Sequence, residues 1–170
     1  MPGHENDIMM AGYGSGEIYG KVGTDKVCLG VNETCAPHHM MASVISQRGL
    51  MNLNSEGIIG LALGNRSGEG KLYVESLKEA GAIDKKEYAF LVSAEGHAKS
   101  KVTFGGTELE KYAKGPMHWH NIPDHTDMWD IDIEAVSFEG VHLLESNPGP
   151  ALVDTGTSYV SLPTDSITRI

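Results

Sequence analysis

Positive charge, aromatic rings and long apolar runs are all scarce in this sequence. Thirteen lysines and arginines face 23 aspartates and glutamates, for a formal net charge of -10. That deficit argues against nucleic acid or an anionic membrane surface as a partner. No stretch approaches the roughly 18 apolar residues a membrane-spanning helix needs. The opening "MPGHENDIMM" has no basic region followed by an apolar core, so it is not a signal peptide as written. Cysteine is limited to Cys28 and Cys35. Their spacing is a poor metal signal. It permits a local loop disulfide in an oxidising compartment, and equally two unlinked thiols.

Glycine, by contrast, is plentiful, at 21 of 170 residues. Many glycines between short alternating runs suggest tight turns joining strands. In "AGYGSGEIYGKVGTDKVCLG", Gly12, Gly14 and Gly16 surround Tyr13 and Ser15. This predicts a hairpin tip carrying Tyr13, with strands running away through Ile18, Val22 and Val27. "MMASVISQRG", "YAFLVS" and "KVTFGG" read as strands, and "EGIIGLALG" as a buried strand ending in a turn. "GPMHWHNIP" reads as a short strand ending at Pro123. In "MWDIDIEAVSF", Trp129, Ile131 and Ile133 alternate with Asp130, Asp132 and Glu134, a period of two. Two helices are expected. One lies in "GKLYVESLKEAGAI", with Leu72, Leu77 and Ala80 on one face and Gly81 as its stop; the other begins in "PTDSITRI". The fold class is therefore mostly β, with antiparallel sheets and short helices.

The chemistry centres on "PALVDTGTSYVSLP". Asp154 follows an apolar run and is surrounded by Thr155, Gly156, Thr157 and Ser158. A carboxylate ending a strand needs hydrogen-bond donors, or its pKa rises. Two readings stand on the residues alone: an acid held rigidly for catalysis, or an Asp that caps its own turn. Other features invite function. His118 and His120 alternate in "HWH", and with a nearby acid such as Asp124 or Asp127 they suggest zinc; Asp130, Asp132 and Glu134 suggest calcium. Surface histidines near a linker and a solvated strand face are the plainer readings. Asn32 in "NET" and Asn65 in "NRS" match the N-glycosylation pattern, which matters only in a secreted or lumenal protein.

"ALVDTGTSYVSLP" resembles the second catalytic motif of the pepsin-like aspartic proteases. "YGSGEIYGKVGTDKV" is similar to that family's flap hairpin and return strand. "SEGIIGLALG", where Glu56 replaces the usual Asp, resembles the segment beneath the first catalytic loop. "VTFGGTELEKYAKGPMHWHNI" and "MWDIDIEAVSFEG" resemble the approach to the interlobe strand and the first strands of the second lobe. The matches keep the family's order over nearly the whole chain. The resemblance implies a bilobal fold with a peptide cleft. One Asp from each lobe shares a proton and activates a water. Carried over, Asp154 is the second-lobe aspartate, Tyr13 with Gly14 and Ser15 the flap, and Thr155, Gly156, Thr157 and Ser158 the supporting loop, with the Thr157 hydroxyl reaching substrate backbone. Residues 1–122 become an N-terminal lobe without its initial strands, its flap at 10–20; residues 123–170 begin the C-terminal lobe.

The family's first Asp-Thr-Gly loop precedes the flap. The twelve residues before Tyr13 hold no such motif, Asp7 being their sole aspartate. The expectation is a central fragment of a protease, inactive alone, its parent monomeric and secreted or lysosomal/vacuolar. It needs no cofactor or metal and acts on extended peptides or proteins. The competing expectation is a catalytically dead homologue that binds peptides in the cleft.

Overall fold

The computed structural model describes residues 7–30, 34–53, 55–64, 70–93, 99–144 and 149–168. Asn32 and Asn65 lie outside them. The chain divides into two compact units, one within 1–61 and 67–115, the other within 62–66 and 116–170.

The first unit is led by a three-stranded antiparallel sheet of β1 (Ile8–Tyr13), β2 (Gly16–Leu29) and β3 (Thr34–Arg48), in that order. The glycine-rich segment forms the hairpin tip predicted from its sequence. Tyr13 pairs with Gly16 across a turn of Gly14 and Ser15. Register shifts at Tyr19/Gly20 and Asp25/Val27 interrupt the long β2–β3 ladder. Such bulges bend a strand and increase its twist. At the far end of the ladder Cys28 stands opposite Cys35, and the two form a disulfide, which decides between the two readings of the pair.

Helix α1 (Tyr73–Glu79) packs on this sheet. Glu75 in its first turn and Lys78 in its last both suit the helix dipole. Gly81 ends it, with φ of 68°. Its amide donates to the Lys78 carbonyl and the Ala82 amide to the Leu77 carbonyl, the paired bonds of a Schellman motif. The inner face is Tyr73, Val74, Ser76 and Leu77. Of the expected stripe only Leu77 is on it. Leu72 is the N-cap and Ala80 is exposed, because the Schellman turn carries the chain back and brings Ile83 into the core instead.

The buried cluster is Ala36, Tyr73, Val74, Leu77 and Ile83, flanked by Val27, Leu29, Leu61, Ala82, Tyr88 and Phe104. Tyr73 meets Phe104 edge-on at 6.0 Å, a favoured aromatic geometry. Its hydroxyl donates to the Val27 carbonyl at 3.3 Å, and that of Tyr88 to the Leu61 carbonyl at 2.5 Å. The antiparallel pair β4 (Tyr88–Leu91) and β5 (Lys101–Phe104) and the single-turn α2 (Leu109–Tyr112) complete the unit.

In the second unit β6 (Asp130–Ile133) pairs antiparallel with β9 (Gly149–Leu152). Strands β7 (Ser137–Phe138) and β8 (Val141–His142) form a small hairpin. Its turn residues Glu139 and Gly140 have φ of 48° and 82°, as a type I′ turn requires. Helix α3 (Thr164–Ile167) follows.

Two local expectations are corrected. "EGIIGLALG" forms no strand. Ile58 and Ile59 stand 48% and 42% exposed, and the Leu63 and Gly64 amides both donate to the Asp127 carbonyl rather than to a ladder. "GPMHWHNIP" is also irregular. It finds no pairing strand among the described residues, and its Trp119 is 85% exposed. The alternating run of 128–138 supplies two strands, β6 and β7, separated by residues 134–136. Mostly β, with antiparallel sheets and short helices, is the architecture found.

Candidate active site

Strand β9 delivers Asp154. One further backbone bond, from the Val153 amide to the Trp129 carbonyl at 2.9 Å, extends the β6–β9 pairing to the residue before it. The chain then turns: the Thr157 amide donates to the Asp154 carbonyl at 3.3 Å. Within that turn the Asp154 side chain takes two donors. The Gly156 amide donates to Oδ1 at 2.8 Å and the Thr157 hydroxyl to Oδ2 at 2.5 Å. A Cβ at position 156 would lie 3.2 Å from Oδ1, tighter than most such contacts, so glycine lets the carboxylate close on the amide. Thr155 and Ser158 are exposed.

These bonds set the electrostatics. The Thr157 hydroxyl first, and the Gly156 amide second, hold the Asp154 carboxyl below its ordinary value, against a small opposing effect of burial. The side chain is exposed. Each carboxylate oxygen accepts one bond inside the turn and keeps capacity for another on its open side. The result is an ionised carboxylate with fixed orientation and solvent access, able to take a proton from a bound water. The Thr157 hydroxyl proton is committed to Asp154. Its oxygen lone pairs keep the capacity to accept a further bond.

Tyr13 sits at the β1–β2 tip, 39% exposed, with Gly14 and Ser15 forming the turn. It belongs to the first unit and Asp154 to the second. Glu17, within the segment 10–20 read as the flap, and Arg48 and Gly49, at the end of "MMASVISQRG", line a shallow depression with Gly12, Tyr13, Ser15 and Gly16. The sequence reading did not place Arg48 and Gly49 beside the tip.

Neither metal reading gains support. Among the described residues no group of three or more His, Cys, Asp or Glu is placed to hold an ion. His118 and His120 are exposed on irregular chain, without the strand that would turn them to one side. Asp130 is half-buried and accepts a bond from the Thr126 hydroxyl at 2.5 Å.

The profile of the eukaryotic aspartyl protease family matches residues 3–170. The chain belongs to that family. Among curated proteins it is similar to pregnancy-associated glycoprotein 2 of Bos taurus, 31% identical over 159 residues, or 93% of this chain and 41% of that one. It is also similar to pepsin II-1 of Oryctolagus cuniculus, 27% identical over 161 residues, 93% of this chain and 41% of the relative. Pepsin A of Rhinolophus ferrumequinum is 26% identical over 166 residues, 97% and 42%. The chain thus spans about two fifths of the length of these relatives. No helix of the described residues is long and apolar enough to cross a membrane.

Proposed function

We propose that this chain supplies one carboxylate, Asp154, of an aspartic endopeptidase centre that cleaves extended peptides or proteins with a carboxylate-activated water. The observation that carries the reading is the double hold on Asp154 by Gly156 and Thr157, which keeps an exposed acid charged and aimed. A carboxylate so held raises the cost of ionising a second one brought beside it, so such a pair shares a proton and titrates in two macroscopic steps. The unprotonated member takes a proton from water as the water attacks the scissile carbonyl. The protonated member donates to the developing oxyanion.

In this reading 1–122 belongs to one lobe, with residues 10–20 as its flap, carrying Tyr13, and 123–170 begins the other. Asp-Thr-Gly occurs once in the 170 residues, at 154–156. The second aspartate must therefore come from outside them, and the chain by itself is inactive. The Cys28–Cys35 disulfide supports folding in an oxidising, secretory compartment. The test is twofold. The coding sequence upstream of Met1 should encode an intact Asp-Thr-Gly-Ser or Asp-Thr-Gly-Thr, and an altered triplet there supports the peptide-binding homologue instead. The purified 170-residue chain should not cleave a peptide library. Cleavage that a transition-state inhibitor blocks and Asp154→Asn abolishes would overturn the need for a second aspartate.

A further inference from the structure

We infer that Gly49, at the end of β3, is a positioning residue that braces the hairpin tip carrying Tyr13. Strand β3 follows β2 to within two residues of the turn, with Arg48 paired to Glu17. Beyond that pair two glycines lie backbone against backbone. A Cβ on Gly49 would collide with the Ser15 carbonyl oxygen, and a Cβ on Gly16 with the Arg48 carbonyl oxygen. Gly49 also has φ of 79°, where other residues are strained. The Leu50 amide donates to Gln47 Oε1 at 3.0 Å and turns the chain at this point. The tip is therefore seated on β3 by main-chain contact. The Glu17–Arg48 ion pair, 3.7 Å long with an Arg48 side chain 85% exposed, adds little.

The seat has a functional consequence that rests on reading residues 10–20 as the flap. A braced tip presents Tyr13 in one place and lifts only with β3 or by leaving it. Amide exchange tests the brace on the chain as it is. The Gly16 and Glu17 amides should be protected. Gly49→Ala should speed their exchange roughly ten- to thirtyfold, the strain of a Cβ at such a site. Arg48→Ala should change it less than about threefold. The Gly20–Ala42 stretch should stay within about threefold in both variants. Unprotected tip amides in the unsubstituted chain would overturn the brace whether or not the variant folds. So would a Gly49→Ala variant with unchanged tip exchange, or with equal acceleration throughout the sheet.

In a polypeptide extended to carry both aspartates, Gly49→Ala should raise KM more than it lowers kcat. A merely structural role lowers kcat through fewer folded molecules and leaves KM alone. If that polypeptide has no activity, the protease reading fails while the exchange result still decides the brace.

Discussion

Leu77→Ala is the sharpest test of how the first unit is held together. Leu77 has no solvent exposure and is enclosed with Ala36, Tyr73, Val74 and Ile83. Its helix has seven residues, well short of the roughly 12–15 at which a helix begins to hold itself in water. Packing of the inner face is therefore what keeps α1 folded. Buried leucine-to-alanine changes cost about 2–5 kcal/mol, according to how far the surroundings collapse. Half-buried Val27 and Leu29 at the rim allow some collapse, which puts the cost near 3 kcal/mol. For a chain of this length that lowers Tm by about 6–12 °C. Tyr73→Phe removes only a long bond to the Val27 carbonyl, for about 0.5–1 kcal/mol. Met51→Ala, at a side chain 85% exposed, should stay within about 0.5 kcal/mol. Urea unfolding followed by circular dichroism measures all three. A Leu77→Ala loss under about 1 kcal/mol would show that this cluster is not what holds α1 to the sheet.

Three further outcomes follow from the bonds described. Thr157→Val should raise the Asp154 pKa toward the ordinary aspartate value, and Thr157→Ser should not; carboxyl carbon NMR reads both, and an unmoved pKa in the valine variant refutes the assigned cause. The sign for stability is fixed: a folded value below the unfolded one makes the ionised Asp154 stabilising above the unfolded value, and this is lost as pH falls through the folded value. His39 has the same sign, in a higher pH range. Burial against Ser76 and Tyr73 lowers its pKa, so the unfolded chain binds the proton more readily and stability falls as pH drops through the ordinary histidine range. His39→Gln should flatten that slope in urea titrations, and an unchanged slope counts against it. Reduction of Cys28–Cys35, with a sequence separation of 7, should cost about 2 kcal/mol, and the double serine variant should match; equal melting of reduced and oxidised chain would contradict this.

What was legible in the sequence was legible for local reasons. The tip around Tyr13 is closed by the adjacent Gly14–Ser15 turn, and the stop at Gly81 uses a glycine at positive φ; both are decided within a few residues. The Asp154 turn is equally local, since both of its donors lie within three residues. The misreadings came where pairing decides. "EGIIGLALG" and "GPMHWHNIP" have strand composition, but a strand needs a neighbour, and neither finds one among the described residues. The type I′ turn at Glu139–Gly140 was missed because glutamate is an unusual residue for positive φ. The brace at Gly49 was missed because its partner, Ser15, is more than thirty residues away in sequence.

The central claim is that Asp154 is one member of a catalytic pair. The most direct measurement is peptide cleavage at acid pH by the polypeptide extended through its upstream coding sequence, with and without Asp154→Asn. The expected result is cleavage that falls at least about a thousandfold in the asparagine variant, with folding intact by circular dichroism. Cleavage that survives Asp154→Asn would contradict it, and leave Asp154 as an acid that caps its own turn.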